Sequence, residues 1–215
     1  MIRKELKYNY IAIEGNIGAG KTTLAKRLAE EFNARLILER FEDNSFLPKF
    51  YEQPDIYAFP LEMSFLADRY QQLKDKLPAQ ELFSSLTISD YFIDKSLIFA
   101  RNNLKQDEFN LYSRLFHIIS AFLPRPELLV YLYLDIPGLM DNIKKRGRDY
   151  ELLIKAEYLE KIQAGYMNHI KSLGNLRVLI INTSEVDFLE NINDYNKLLD
   201  VISMEYEPGI HRILL

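Results

Sequence analysis

The chain has 215 residues, 48% hydrophobic and 27% charged, with a formal net charge of −4, enough length for one substantial core over 1–215 without staples. With no cysteine it can hold no thiol nucleophile, zinc ribbon, iron–sulfur cluster or CxxC redox pair, and its acidic balance argues against wrapping nucleic acid by counterion release. His117, His169 and His211 lack metal-ligand spacing, the N-terminal MIRKELKYNY has no apolar signal core, and the longest apolar run, Leu128 to Leu134, is too short for a bilayer, so a soluble cytoplasmic protein is expected.

The first element, Tyr10–Ile13, is short and apolar and reads as a buried strand. It runs into Gly15-Asn16-Ile17-Gly18-Ala19-Gly20-Lys21-Thr22-Thr23, which satisfies GxxxxGK[ST] and opens a helix with Leu24, Leu28 and Phe32 at fourfold spacing. Such a pattern arises by chance on the order of once in a thousand such sequences, and the strand–loop–helix context strengthens it. The glycines let backbone N–H groups converge on a phosphate at a helix N-terminus. Lys21 then reaches the β- and γ-phosphates, and the Thr22 hydroxyl can ligate Mg²⁺. A nucleoside triphosphate is therefore the expected ligand, and without an NKxD base-recognition element a GTPase is not expected.

Further strands are predicted at Leu36–Leu38, Leu86–Ile88, Leu128–Leu134 and Arg177–Ile181. Helical spacing appears within Glu62–Leu77 (Phe65, Leu66, Tyr70, Leu73) and along Leu111, Leu115 and Ile118. Alternation of this kind predicts a doubly wound α/β fold, a parallel five-stranded sheet with helices on both faces. Glu39 follows the second strand, so it lies at the sheet edge that carries the phosphate loop. Lys144, Lys145, Arg146 and Arg148 form a dense basic cluster suited to a triphosphate.

Phe50-Tyr51-Glu52-Gln53-Pro54, Phe59-Pro60-Leu61-Glu62 and Arg69, with Asp90 and Arg146-Gly147-Arg148, resemble the nucleoside-binding region and lid of the deoxynucleoside kinases. The resemblance implies a P-loop kinase with a short lid near 142–151, using ATP and Mg²⁺, binding a deoxynucleoside and pairing as a homodimer. It places Glu39 as the base for the 5′-hydroxyl, Tyr51 and Glu151 at the 3′-hydroxyl, and Glu62 where the family has a base-reading glutamine, with Arg69 its partner. Asp90 corresponds to the acid that organises the metal shell beside the nucleoside, Arg146 and Arg148 to the lid arginines, and Asp187-Phe188 to the loop that cups the donor's adenine.

Glu62 and Arg69 are seven residues apart, about 10 Å along a helix, a gap that a planar base could bridge. Guanine offers adjacent N1–H and N2–H donors to a carboxylate, whereas adenine offers only its amino group, so a purine is expected, deoxyguanosine ahead of deoxyadenosine. Two positions depart from the family pattern. Tyr91 stands in place of an arginine, for which Lys95, one turn along the next helix, is a candidate substitute; Asn142 replaces the first lid arginine, for which Lys144 or Lys145 can compensate. Two alternatives stay open: a thymidylate-like monophosphate kinase, and a regulatory module that binds nucleotide without transferring phosphate.

Overall fold

Side chains alternate across a strand, so a strand that is apolar at every position needs cover on both sides. The central strands have this character. In a computed structural model, which describes residues 5–41, 44–77 and 86–215, β1 (Tyr10–Gly15) sends Ile11 and Ile13 to one face and Tyr10 and Ala12 to the other. In β4 (Leu128–Tyr133), Leu128, Val130 and Leu132 go to the first face, Leu129 and Tyr131 to the second; β5 (Arg177–Asn182) divides in the same way. Helices α1 (Lys21–Phe32), α6 (Ile136–Arg146) and α8 (Ile192–Ile202) cover the first face. Helices α3 (Pro54–Lys76), α4 (Lys95–Asn103), α5 (Gln106–Ser120) and α7 (Ala156–Ile170) cover the second.

With β2 (Arg35–Ile37), β3 (Thr87–Ser89) and β6 (Gly209–Leu214), the strands form one wholly parallel sheet in the order β2-β3-β1-β4-β5-β6. The doubly wound arrangement is as expected, but the sheet has six strands rather than five. Among the described residues the additional strand, β6, pairs only with β5, and it alternates between partly buried and exposed residues, as an edge strand does, so it lacks the continuous apolar run that marks the inner strands. Helix α2 (Phe46–Glu52) packs on the start of α3 through Leu47, Phe50, Ala58, Leu61 and Phe65, a small apolar cluster separate from the two main ones.

One helix is turned from its expected face. On α5 the buried residues are Tyr112 and Phe116, while Leu111 and Ile118 are exposed. The aromatic pair fills more volume against the sheet, and the Tyr112 hydroxyl reaches the Glu62 carbonyl at 3.4 Å. Phe116→Ala is therefore expected to cost about 3–5 kcal/mol in a urea unfolding titration; a loss below about 1 kcal/mol would mean that the leucine face is the docked one.

Candidate active site

Chain turns after five parallel strands gather at one edge of the sheet, where doubly wound folds bind ligands. After β1 comes the phosphate loop. Gly20, the N-cap of α1, has φ 85° and supplies no side-chain cap, so the first N–H groups of the helix stay available to an anion. A Cβ on Gly20 would also stand 2.9 Å from the Phe188 ring. The loop is tied down from behind: buried Asn16 donates to the Leu159 carbonyl on α7 at 2.8 Å and accepts from Ile17 N–H at 2.9 Å. Lys21 Nζ donates to the Asn16 carbonyl at 2.8 Å. Burial and the nearby Lys95 lower the Lys21 pKa to about 8, against the pull of Glu14, Glu39 and Asp90.

After β2 comes Glu39, whose carboxylate is held by two cations. Arg69 donates to its Oε1 through Nε at 2.8 Å and Nη2 at 2.6 Å, while Lys95 Nζ donates to Oε2 at 2.5 Å. Burial alone would raise the Glu39 pKa, but Lys95 and Arg69 outweigh it and hold the group down to about 2. After β3 comes Asp90. Its Oδ1 accepts from the Glu39 backbone N–H at 2.7 Å, and its Oδ2 accepts from the Thr22 hydroxyl at 2.5 Å. Carboxylate and hydroxyl oxygens side by side at the loop's mouth are the hard donors that Mg²⁺ takes in company with phosphates and water, so Thr22 and Asp90 fit the expected ion.

Tyr91, where a cation was expected, is fully buried; its hydroxyl donates to Gln72 Oε1 at 2.6 Å, and Gln72 Nε2 donates to the Leu38 carbonyl at 2.8 Å. That relay steadies the backbone just before Glu39. The positive charge comes instead from Lys95, which turns inward on the first turn of α4. Behind both, the buried Glu14 carboxylate accepts from Phe92 N–H at 2.7 Å and the Tyr166 hydroxyl at 2.8 Å; burial raises its pKa against Lys95 and Lys21.

Beside Glu39 opens a cavity of about 750 Å³, and Tyr51, Glu62, Arg69, Asp90 and Glu151 all line it. Its apolar wall is Leu47, Phe50, Leu61 and Phe65. The expected use of Arg69 does not match its contacts: the guanidinium is taken up by Glu39 and by Ser96 Oγ, at 2.8 Å from Nη1. Glu62 is instead accompanied by Asn103, whose amide donates to Oε1 at 2.7 Å, and burial pushes the Glu62 pKa up to about 7. Sequence reasoning missed Asn103. A signal existed, because Lys95, Phe99 and Asn103 recur every four residues along α4 and all three line the cavity. Tyr158, from α7, carried no such signal.

A second, more open cavity of about 1550 Å³ lies over the phosphate loop, lined by Gly20, Thr23, Lys26, Asn142 and Lys145 among others. The two cavities share Gly18, Lys21, Thr22, Glu39, Phe41, Arg146 and Arg148. The arginines flank Gly147, which closes α6 at φ 68°. Arg146 donates to Glu151 Oε2 through Nε at 2.8 Å and Nη2 at 2.5 Å; Arg148 donates to Oε1 at 3.2 Å and stacks 4.2 Å over Phe41. Asn142 donates to the Gly18 carbonyl at 2.9 Å, bracing the phosphate loop, and of the two exposed lysines Lys144 and Lys145 the second joins the cavity lining. Asp187 and Phe188 border a third recess with Ala19 and Leu134. There Phe188 is buried against the loop, and the Asp187 carboxylate accepts from Leu189 and Glu190 N–H at 3.2 and 3.0 Å.

The arrangement brings a phosphate cradle and a polar–apolar cavity to either side of one carboxylate and three long cationic side chains, Lys21, Arg146 and Arg148, which suits transfer of a phosphoryl group between two bound molecules. Comparison with known proteins agrees. The chain is 38% identical over 193 residues to a deoxyguanosine kinase of Bacillus subtilis (strain 168), covering 88% of this chain and 93% of that protein. It is 32% identical over 207 residues to a deoxyadenosine kinase of Dictyostelium discoideum, covering 95% and 82%. In fold it resembles the deoxyadenosine kinase of M. mycoides with bound dATP, at a TM-score of 0.77 and 24% identity over 90% of this chain and 99% of that one. The deoxynucleoside kinase family model matches residues 11–205, and the chain belongs to that family of phosphotransferases.

Proposed function

We propose that the chain moves the γ-phosphoryl group of ATP to the 5′-hydroxyl of a purine deoxynucleoside, deoxyguanosine foremost, as a single cytoplasmic kinase domain serving nucleotide salvage. The observation that carries the acceptor assignment is the Glu62 carboxyl in the cavity beyond Glu39. An ionised carboxylate matches the adjacent N1–H and N2–H donors of guanine. The Bacillus subtilis relative, named a deoxyguanosine kinase, supports the same choice.

In this reading the triphosphate lies on the loop Gly15–Thr23, with Lys21 at its β- and γ-phosphates and the Asp187–Phe188 turn near the donor base. Thr22 and Asp90 would hold Mg²⁺, which would supply charge neutralisation at the phosphates. Tyr51 and Glu151 meet the 3′-hydroxyl, and Glu62 with Asn103 meets the base. Glu39 accepts the 5′-hydroxyl proton. Lys21, Arg146 and Arg148 line both cavities and stabilise the phosphoryl group as it crosses. A monophosphate acceptor is less well served, because its own phosphate would meet the Glu39 carboxylate. Leu111 and Ile118, exposed on α5, offer apolar surface that a second copy can cover in a homodimer.

A coupled assay of ADP release with each deoxynucleoside, its ribo counterpart and its monophosphate tests the acceptor. Purine deoxynucleosides are expected to be used best, and turnover restricted to monophosphates or pyrimidines would reject the reading. Glu39→Gln should lower kcat by about 10²–10⁴ with nucleoside KM little changed; wild-type turnover would remove Glu39 as the base. Lys95→Met takes away a charge that depresses the Glu39 pKa, so the Glu39 carboxyl, followed by difference infrared spectroscopy against Glu39→Gln, should titrate about one pH unit or more higher, and Lys95→Arg should restore it. An unmoved titration in the methionine variant would show that Arg69 alone sets the basicity of Glu39.

A further inference from the structure

Glu62 is the cavity's one carboxylate, among the described residues, with an oxygen that is buried and has no hydrogen-bond partner: Oε1 accepts from Asn103, and Oε2 from nothing. The groups that face it come from every element packed around it. They are Arg69 on its own helix α3, Lys95 and Asn103 on α4, Tyr112 on α5, Tyr158 on α7, and Glu39 after β2. The two cations among them are bonded to Glu39, at 2.6 Å from Arg69 and 2.5 Å from Lys95. Glu62 therefore feels their charge at a distance but has neither as an ion-pair partner. A buried carboxylate in that position is costly to ionise, and its pKa of about 7 leaves both forms accessible at neutral pH.

The two forms make different hydrogen bonds. A carboxylate only accepts, and each oxygen has a second lone pair, so Oε1 can keep Asn103 while the pair of oxygens receives N1–H and N2–H of guanine. A carboxylic acid presents one O–H donor beside one acceptor. That pattern fits adenine, whose N6 amino group donates while N1 accepts. Asn103 matters because it fixes Oε1 as an acceptor, which leaves the proton to Oε2, the oxygen without a protein partner.

We propose that Glu62, oriented by Asn103, selects the purine through its own proton: ionised it takes deoxyguanosine, and protonated it takes deoxyadenosine. This rests on reading the cavity as the deoxynucleoside site. It follows that guanine binding expels a proton from the site and adenine binding retains one.

The test is the ratio of kcat/KM for deoxyguanosine to that for deoxyadenosine, measured on the wild-type enzyme from pH 6 to 8.5. Titration of Lys21, Glu39 or ATP acts on both substrates and cancels in the ratio. The ratio is expected to climb with pH, by up to about tenfold per unit where each substrate requires a different form. Glu62→Gln presents a fixed donor and acceptor, so its ratio should be flat and displaced toward deoxyadenosine. A flat ratio in the wild type, with both nucleosides phosphorylated, overturns the proposal and leaves the kinase reading intact; a Gln variant that keeps the slope also overturns it, by placing the titration elsewhere. Failure of the wild type to phosphorylate either nucleoside at any pH would instead reject the acceptor assignment itself. If the variant does not fold, the wild-type ratio decides alone.

Discussion

The site depends on Glu39 being held from three directions. Arg69 reaches it from α3, Lys95 from α4, and Asp90 takes its backbone N–H from the end of β3. A strand of three residues such as β2 could not fix a side chain so far past its end by itself. Burying one ion pair there would cost desolvation that the pair's own attraction barely repays; two cations on one carboxylate, with Ser96 satisfying another N–H of Arg69, shift that balance and lock the geometry. Because the same Asp90 also takes the Thr22 hydroxyl, the acceptor side and the phosphate loop are set by one carboxylate bridge.

That rigidity makes Glu39 a weak base. A group with a pKa of about 2 is fully ionised at neutral pH but has little thermodynamic appetite for a proton. Phosphoryl transfer tolerates this. In a loose transition state the attacking oxygen needs little deprotonation before it bonds, and alignment contributes more than basicity. In the proposed reaction Glu39 therefore orients the hydroxyl first and receives its proton late, as the 5′-oxygen bonds to phosphorus and its O–H grows acidic.

What could be read from the sequence was what local spacing determines. The strand, glycine loop and helix of residues 10–32 are contiguous, and their function follows from backbone geometry alone. The inner strands announce themselves because burial on both faces demands unbroken apolar residues, whereas β6, wet on alternate positions, does not. On α5 two apolar stripes lie one residue apart, and tertiary packing decides between them: Tyr112 and Phe116 join the second core cluster, and Tyr112 reaches Glu62. Arg69 illustrates the same limit. Its spacing from Glu62 along α3 was legible, but its partners arrive from β2 and α4, 30 and 27 residues away in sequence. Helical periodicity says which residues share a face and is silent about what that face meets.

The two arginines of the basic turn show how an anion site can be kept in order without its anion. Arg146 makes two bonds to one oxygen of Glu151, and Arg148 makes one to the other, so the carboxylate occupies the guanidinium edges that a phosphate would seek. Left unpaired, two neighbouring cations would repel and take up many conformations. Paired with Glu151 they stay beside Lys21 and Glu39, at the boundary between the cavities. In the proposed reaction the donor's terminal phosphate, more highly charged than a carboxylate, would draw the arginines toward itself and so free Glu151 to accept from a sugar hydroxyl. On the same proposal the product's phosphate would lie at that boundary after transfer, and the return of Glu151 to the arginines would offset the cost of letting the product go. In this scheme one acid residue serves the sugar in the occupied site and the cations in the vacant one, so the energetic difference between the two states stays small enough for turnover.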